Sequence, residues 1–324
     1  MQYTRFGKTD LQVSRISFGT FPLGGAWGDF DELLALETIR EAYALGINFF
    51  DTAQAYGFGR AEELISRALR DELHYHRDEI VLATKGGVRV EGGKRLRDAS
   101  PSWLRKGLEA SLRYLGTDHV DIYQVHWPDP RTPLEETAGV MKEFVREGKT
   151  RYVGVSNFAV AQMEEFGKTC KIDSLQPPYS LFVRGIEAEI LPYCQAHGIA
   201  VFVYGPLAHG LLAGGFTPET TFPPNDWRSK NRGFVGEGLQ RNLRVVDKLK
   251  AAARERGCSV AQLAVAWTLA NPAVDAAIVG ARRPEQLKET VSAVDITLTS
   301  GDLQEIEVIT SEAEPLEEPT PETV

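Results

Sequence analysis

Asp51, Tyr56, Lys85 and His126 are the side chains whose types would do proton chemistry if the fold brought them together. A phenol has an ordinary pKa near 10, so it donates a proton usefully at neutral pH only beside a group that stabilises the phenolate. An ammonium is such a group, because a neighbouring cation favours the ionised form and lowers the phenol pKa. Lys85, held by Asp51, would supply it. A neutral His126 would hydrogen-bond and orient an oxygen that gains negative charge. A carbonyl protonated on oxygen also needs a hydride on carbon, which no side chain provides, so the set implies a nicotinamide cofactor.

Each of these residues stands at or just after the end of a short apolar run, which is what has to position it. Strand-like runs occur at Arg15–Gly19, Asn48–Asp51, Ile80–Lys85, Val120–His126, Tyr152–Ser156, Ser174–Gln176, Ala200–Tyr204 and Ala276–Val279. Helical patterns lie between them. Glu32–Leu45 has apolar residues at helical spacing, and Pro101–Leu115 has Ser100 as its N-cap and proline at the first helical position. Runs apolar on both faces, alternating with helices, predict an α/β fold with a parallel sheet. Eight such units in 324 residues predict a (β/α)8 TIM barrel. Residues 1–15 alternate around Gly7-Lys8-Thr9-Asp10 and read as a β-hairpin closing the barrel bottom. The barrel is expected to form one domain over residues 1–311. Residues 207–238, rich in Gly and Pro, form a long loop of functional character, and the acidic, Pro-rich tail 312–324 is expected to be flexible.

In a barrel of this kind the strand C-terminal ends carry the active site. Taken singly, Lys85 reads as a solvated loop charge, His126 as partial core, Asp51-Thr52 as a helix cap and Tyr56 as packing. Their joint placement at successive strand ends is what favours chemistry over those readings. Further polar residues end later strands: Ser156-Asn157, Gln176, Tyr204 and Gly280-Ala281-Arg282.

The residue types converging there resemble the aldo-keto reductase superfamily over nearly the whole chain. Asp51, Tyr56, Lys85 and His126 match its catalytic tetrad in type, order and strand position. Phe50-Asp51-Thr52-Ala53 with Tyr56-Gly57, and Gly154-Val155-Ser156-Asn157-Phe158, match its signature segments. His126-Trp127-Pro128-Asp129, Gln176-Pro177-Pro178-Tyr179 and Gly280-Ala281-Arg282-Arg283-Pro284-Glu285-Gln286 look most like the bacterial general-stress reductases, with potassium-channel β subunits as more distant relatives. The resemblance implies NADPH-dependent reduction of aldehydes, and ketones as a further class, to alcohols, with NADH as the alternative cofactor. It implies that Ser156, Asn157 and Gln176 hold the nicotinamide carboxamide and that Tyr204 stacks on the ring. Gly205, Pro206, Leu207, Gly210 and Leu211 would follow the pyrophosphate, and Gly280, Ala281, Arg282, Gln286 and Glu289 the adenosine end; Thr20 is also assigned to the cofactor. Phe21, Trp27 and Trp127 are placed at the substrate pocket, with packing as the alternative. Many members have lysine where this chain has Gly280 and arginine where it has Gln286, so Arg282 is left to grip a 2′-phosphate. Thr290 stands where asparagine often contacts adenine.

Composition and rejected motifs narrow the rest. Net charge is −9 and the pI is near 5.3, which predicts neither a nucleic-acid nor a membrane partner. Three scattered cysteines predict no disulfide framework and no metal site, and fit a reducing cytoplasm. Met1–Arg5 has no apolar segment of a signal peptide, so a cytoplasmic protein is expected. No G-x-G-x-x-G follows a strand; Gly148-Lys149-Thr150 lacks the upstream glycine of a phosphate loop; His74-Tyr75-His76 reads as surface. Two rival readings share the tetrad: a Schiff-base lyase using Lys85, and an NADP(H)-binding regulator with little turnover.

Overall fold

Strand β5 (Val81–Gly86) and strand β8 (Val120–Val125) are buried at every position, as expected of parallel strands covered on both faces. They belong to a closed barrel with β3 (Ile16–Gly19), β4 (Phe49–Asp51), β9 (Thr150–Ser156), β10 (Ser174–Gln176), β11 (Ala200–Val203) and β12 (Ala276–Gly280). The strands run β3-β4-β5-β8-β9-β10-β11-β12 around the barrel, all neighbours parallel, and β12 closes on β3 through Ala277↔Ile16 to Gly280↔Gly19. This is the predicted (β/α)8 topology. The computed structural model describes residues 1–25, 28, 30–224 and 226–323. Trp27, one of the expected substrate residues, lies outside them.

The N-terminal hairpin, β1 (Tyr3–Arg5) paired with β2 (Gln12–Ser14), supplies the barrel floor. Phe6, Leu11 and Val13 cluster with inward residues of the strands: Phe49, Val81, Ile122, Ala200, Phe202, Ala276 and Ile278. The Phe6 ring lies edge-on to Phe49 and Phe202, at 5.5 and 5.4 Å between centroids. The turn that inserts it needs Gly7, whose φ is +52° and whose missing Cβ would lie 2.8 Å from the Ala200 nitrogen.

Local signals set the surrounding helices. Ser100 Oγ accepts from the Trp103 N–H at the start of Pro101–Leu115, and Gly116 ends that helix in the left-handed region. Asp31 caps the helix Glu32–Ala44. Two regions differ from the sequence reading. A second hairpin, β6 (Val88–Glu91) and β7 (Lys94–Arg97), follows β5. The stretch after β11 contains 3-10 turns at Ala208–Ala213, Trp227–Lys230 and Arg232–Phe234, and a helix begins at Gly236. The tail 312–324, expected to be flexible, places several side chains against the rest of the chain. Leu316 is buried against Gly233, Glu314 pairs with Arg232 and Arg241, Glu318 meets His209 at 3.0 Å, and Glu322 pairs with Arg97 at 2.9 Å. Composition counts those acids as solvated; cations distant in sequence give them partners.

Candidate active site

Inward-facing positions turn polar toward the strand C-terminal ends. Asp51 pairs in register with Ala83, Lys85 with Gln124, Gln124 with Gly154, and Ser156 with Gln176. Gly154 makes room here, since a Cβ on it would lie 2.7 Å from Gln124 Cγ. Asp51 is the hub. Its Oδ2 accepts from Lys85 Nζ at 2.6 Å, and its Oδ1 from Gln176 Nε2 at 2.8 Å and Gln124 Nε2 at 3.5 Å. Lys85 Nζ also donates to the Thr52 carbonyl at 2.8 Å and reaches the Tyr56 hydroxyl at 3.3 Å. The Tyr56 ring packs edge-on to Phe21 at 5.2 Å and to His126 at 5.7 Å. The four residues singled out in the sequence are therefore one cluster.

Its electrostatics follow from burial. Burial opposes the Lys85 charge, but Asp51 and Tyr56 outweigh it and hold the ammonium above its ordinary range. Burial pushes His126 well below its ordinary range, helped by Lys85 and Arg95, so the imidazole is neutral at neutral pH. Its Nδ1 is buried with no partner among the described residues. Tyr56 corrects the expectation of a lowered phenol pKa. Burial raises it, Lys85 lowers it and Asp51 raises it again, and the net direction is upward. Tyr56 therefore rests as the neutral phenol.

A cavity of about 570 Å³ opens from Tyr56 and His126, passes Tyr204 and Gly205–Gly210, and reaches Arg282, Gln286 and Glu289. Residues 15–310 match the model of the aldo/keto reductase family. The chain belongs to that family.

This aldo/keto reductase is 42% identical over 311 residues to aldo-keto reductase YhdN of Bacillus subtilis, covering 95% of this chain and 93% of the relative. It is 35% identical over 318 residues to the NADH-specific methylglyoxal reductase of Escherichia coli, covering 93% and 96%. Among solved structures it resembles the glycerol dehydrogenase AKR11B4 from Gluconobacter oxydans, with a TM-score of 0.89, 37% identity and coverage of 97% and 96%. Family membership makes it an oxidoreductase of the kind that uses a nicotinamide cofactor and acts on small carbonyl compounds.

The donor set along the cavity fits such a cofactor: amide and hydroxyl groups near the tetrad, one aromatic ring, a glycine-containing turn and guanidinium groups at the far end. Ser156, Asn157, Gln176, Tyr204, Gly205, Pro206, Leu207, Gly210, Gly280, Ala281, Arg282, Gln286 and Glu289 all line it. Tyr204 donates to Asn157 Oδ1 at 2.9 Å, which fixes its ring by the tip, and Asn157 donates to the His126 carbonyl at 3.1 Å. Two positions assigned to the cofactor do not line this cavity. Leu211 is fully buried in the core, and Thr20 is buried with its hydroxyl on the Asp51 carbonyl at 3.2 Å. Phe21 and Trp127 also line the cavity.

Sequence reasoning passed over several contributors. Gln124 grips Asp51, and the period-two alternation of Ile122 and Gln124 on β8 could have indicated it. Arg228 lines the far end, bound to Asp226 at 2.6 Å and to the His209 carbonyl at 3.0 Å. Burial, then Arg228, pulls Arg282 below its ordinary range, so the two guanidinium groups share one field. Among the described residues, no helix is long and apolar enough to cross a membrane, and no cluster of His, Cys, Asp and Glu could hold a metal ion.

Proposed function

We propose that this aldo/keto reductase reduces small aldehydes, and ketones as a further class, to alcohols, with NADPH as its preferred reductant and Tyr56 as the proton donor. The observation that carries the reading is Lys85, whose ammonium lies within hydrogen-bond reach of both the Asp51 carboxylate and the Tyr56 hydroxyl. Ser156, Asn157 and Gln176 would hold the nicotinamide amide, Tyr204 its ring and Arg282 with Arg228 the distal phosphate. A reduced nicotinamide, when bound, supplies the hydride that the carbonyl carbon requires. Neutral His126 hydrogen-bonds the carbonyl oxygen and orients it toward Tyr56. Tyr56 gives up its proton as that oxygen gains charge, Lys85 stabilises the phenolate left behind, and solvent returns the proton. Asp51 holds Lys85 as the cation throughout. The same grip argues against a Schiff-base role, which needs a neutral amine.

The NADPH preference rests on Arg282, which lines the cavity with Arg228, because a guanidinium binds a phosphate bidentately. It is set against the NADH specificity of one relative. Oxidation of NADPH and of NADH is to be followed in parallel with methylglyoxal and with short aliphatic, aromatic and ketonic substrates. NADPH should win by roughly tenfold or more. Tyr56→Phe should leave cofactor binding nearly intact while lowering turnover by about 10² or more. Wild-type turnover in that variant would remove Tyr56 from the role.

A further inference from the structure

The hairpin β6–β7 puts into the cavity a charged side chain that makes no hydrogen bond or ion pair with Asp51, Tyr56, Lys85 or His126. In its register Val88 faces Arg97 and Val90 faces Arg95, so these four residues share one face. That face turns toward the barrel mouth, where Val88 and Arg95 line the cavity with Tyr56, His126 and Trp127. The other two arginines of the hairpin are engaged. Arg97 pairs with Glu322 at 2.9 Å and lies over Trp127 at 5.1 Å. Arg89 pairs with Glu91 at 2.8 Å and Asp98 at 3.0 Å. Arg95 is half-buried and makes no side-chain hydrogen bond or ion pair among the described residues.

Such a group is costly to the fold. Burial pulls the Arg95 guanidinium below its ordinary range, and no carboxylate opposes the shift. Its field reaches His126, so it lies on the reacting side of the cavity. Arg282 and Gln286 lie just after β12 and in the helix that follows, elsewhere along the groove. A chain of net charge −9 has carboxylates in excess, yet none is spent on this cation.

We propose that Arg95 is a substrate-recognition residue that selects carbonyl compounds bearing a carboxylate or a phosphate a few bonds from the carbonyl carbon. The guanidinium fork matches either anion bidentately. Val88 and Trp127 beside it offer apolar surface to the short carbon chain between the two groups. The inference rests on the reductase reading, because it needs the carbonyl end held at Tyr56 and His126.

The test compares matched pairs on the purified full chain: succinate semialdehyde against butanal, and glycolaldehyde phosphate against glycolaldehyde. Wild type should favour at least one charged member by tenfold or more in kcat/KM. Arg95→Ala should lower kcat/KM for that member roughly ten- to hundredfold, mainly through KM, and change the neutral members by less than about threefold. Retained butanal turnover also shows that the variant is folded. Arg95→Lys should fall between, keeping the charge without the fork. The pair that responds names the anion as carboxylate or phosphate. Equal losses on charged and neutral members would overturn the inference, as would a wild type that reduces butanal with no advantage for either anion, and both leave the reductase reading standing. No turnover of any of the four by wild type would overturn both.

Discussion

The two ends of the barrel use the same strands and obey opposite rules. At the floor, Phe49, Val81, Ile122, Phe202 and Ile278 close over Phe6 in a wholly apolar cluster. Two residues further along, on the same inward face, stand Asp51, Gln124, Tyr204 and Gly280, with Lys85 four beyond Val81. A step of about 7 Å along each strand separates the two chemistries. The floor contributes burial. The mouth keeps a buried ion pair, a neutral imidazole and polar atoms such as Thr52 Oγ1 and Gln54 Oε1 with no partner among the described residues. Buried pairs of this sort are weak contributors to stability and costly when half-removed. The barrel therefore separates what holds it together from the polar cluster at its mouth.

The largest effect that could break this division is expected at the floor. Phe6→Ala should destabilise by about 3–5 kcal/mol in a denaturant titration. Turnover per folded molecule should not change, and a large fall in kcat for the fully folded variant would mean that the two ends are coupled.

A middle-sized effect would sharpen the comparison just behind the mouth. Glu62 accepts from Thr84 Oγ1 at 2.6 Å, and burial pushes its carboxyl up to about 7 against the opposing pull of Thr84, Ser111 and Lys85. A raised carboxyl binds its proton more tightly in the folded chain than in the unfolded one. Its contribution is thus full below about 4.5 and is lost as pH rises to about 7, an effect of up to about 3 kcal/mol. The stability difference between wild type and Glu62→Gln should change by that amount over this window, with wild type losing ground as pH rises. A pH-independent difference would show that Glu62 titrates normally. The smallest of the three concerns the far end of the cavity. Arg282→Ala should weaken NADPH roughly tenfold to hundredfold and NADH by less than about threefold, read by fluorescence titration. Equal losses would mean that Arg282 is not the phosphate ligand.

Much of this division was legible in the chain. Short β-branched and aromatic runs located every barrel strand within a residue or two, and Ser100-Pro101 fixed a helix start, because these signals are local. That Asp51, Tyr56, Lys85 and His126 meet at one end of the barrel was legible once the barrel was assumed. Hairpin β6–β7 was missed because its alternation is carried largely by charged residues around Gly92-Gly93, and packing on the mouth rather than propensity defines it. The contacts of the tail with Arg97, His209, Arg232 and Arg241 are not legible, because no local pattern connects residues so distant in sequence. The direction of the Tyr56 shift depends on how completely Phe21 and its neighbours exclude water, a property of packing that spacing does not contain.

The seam between β3 and β12 sets a clock on the chain. Ile16 and Phe18 lie on one side of it, Ala277 and Val279 on the other. At a synthesis rate of roughly 5–20 residues per second, the second side leaves the ribosome tens of seconds after the first. Until then β3 has an open hydrogen-bonding edge, and the barrel cannot be complete. An unpaired edge of this kind is open to pairing with other chains. The closure that shelters the finished site makes the nascent chain vulnerable for most of its own synthesis.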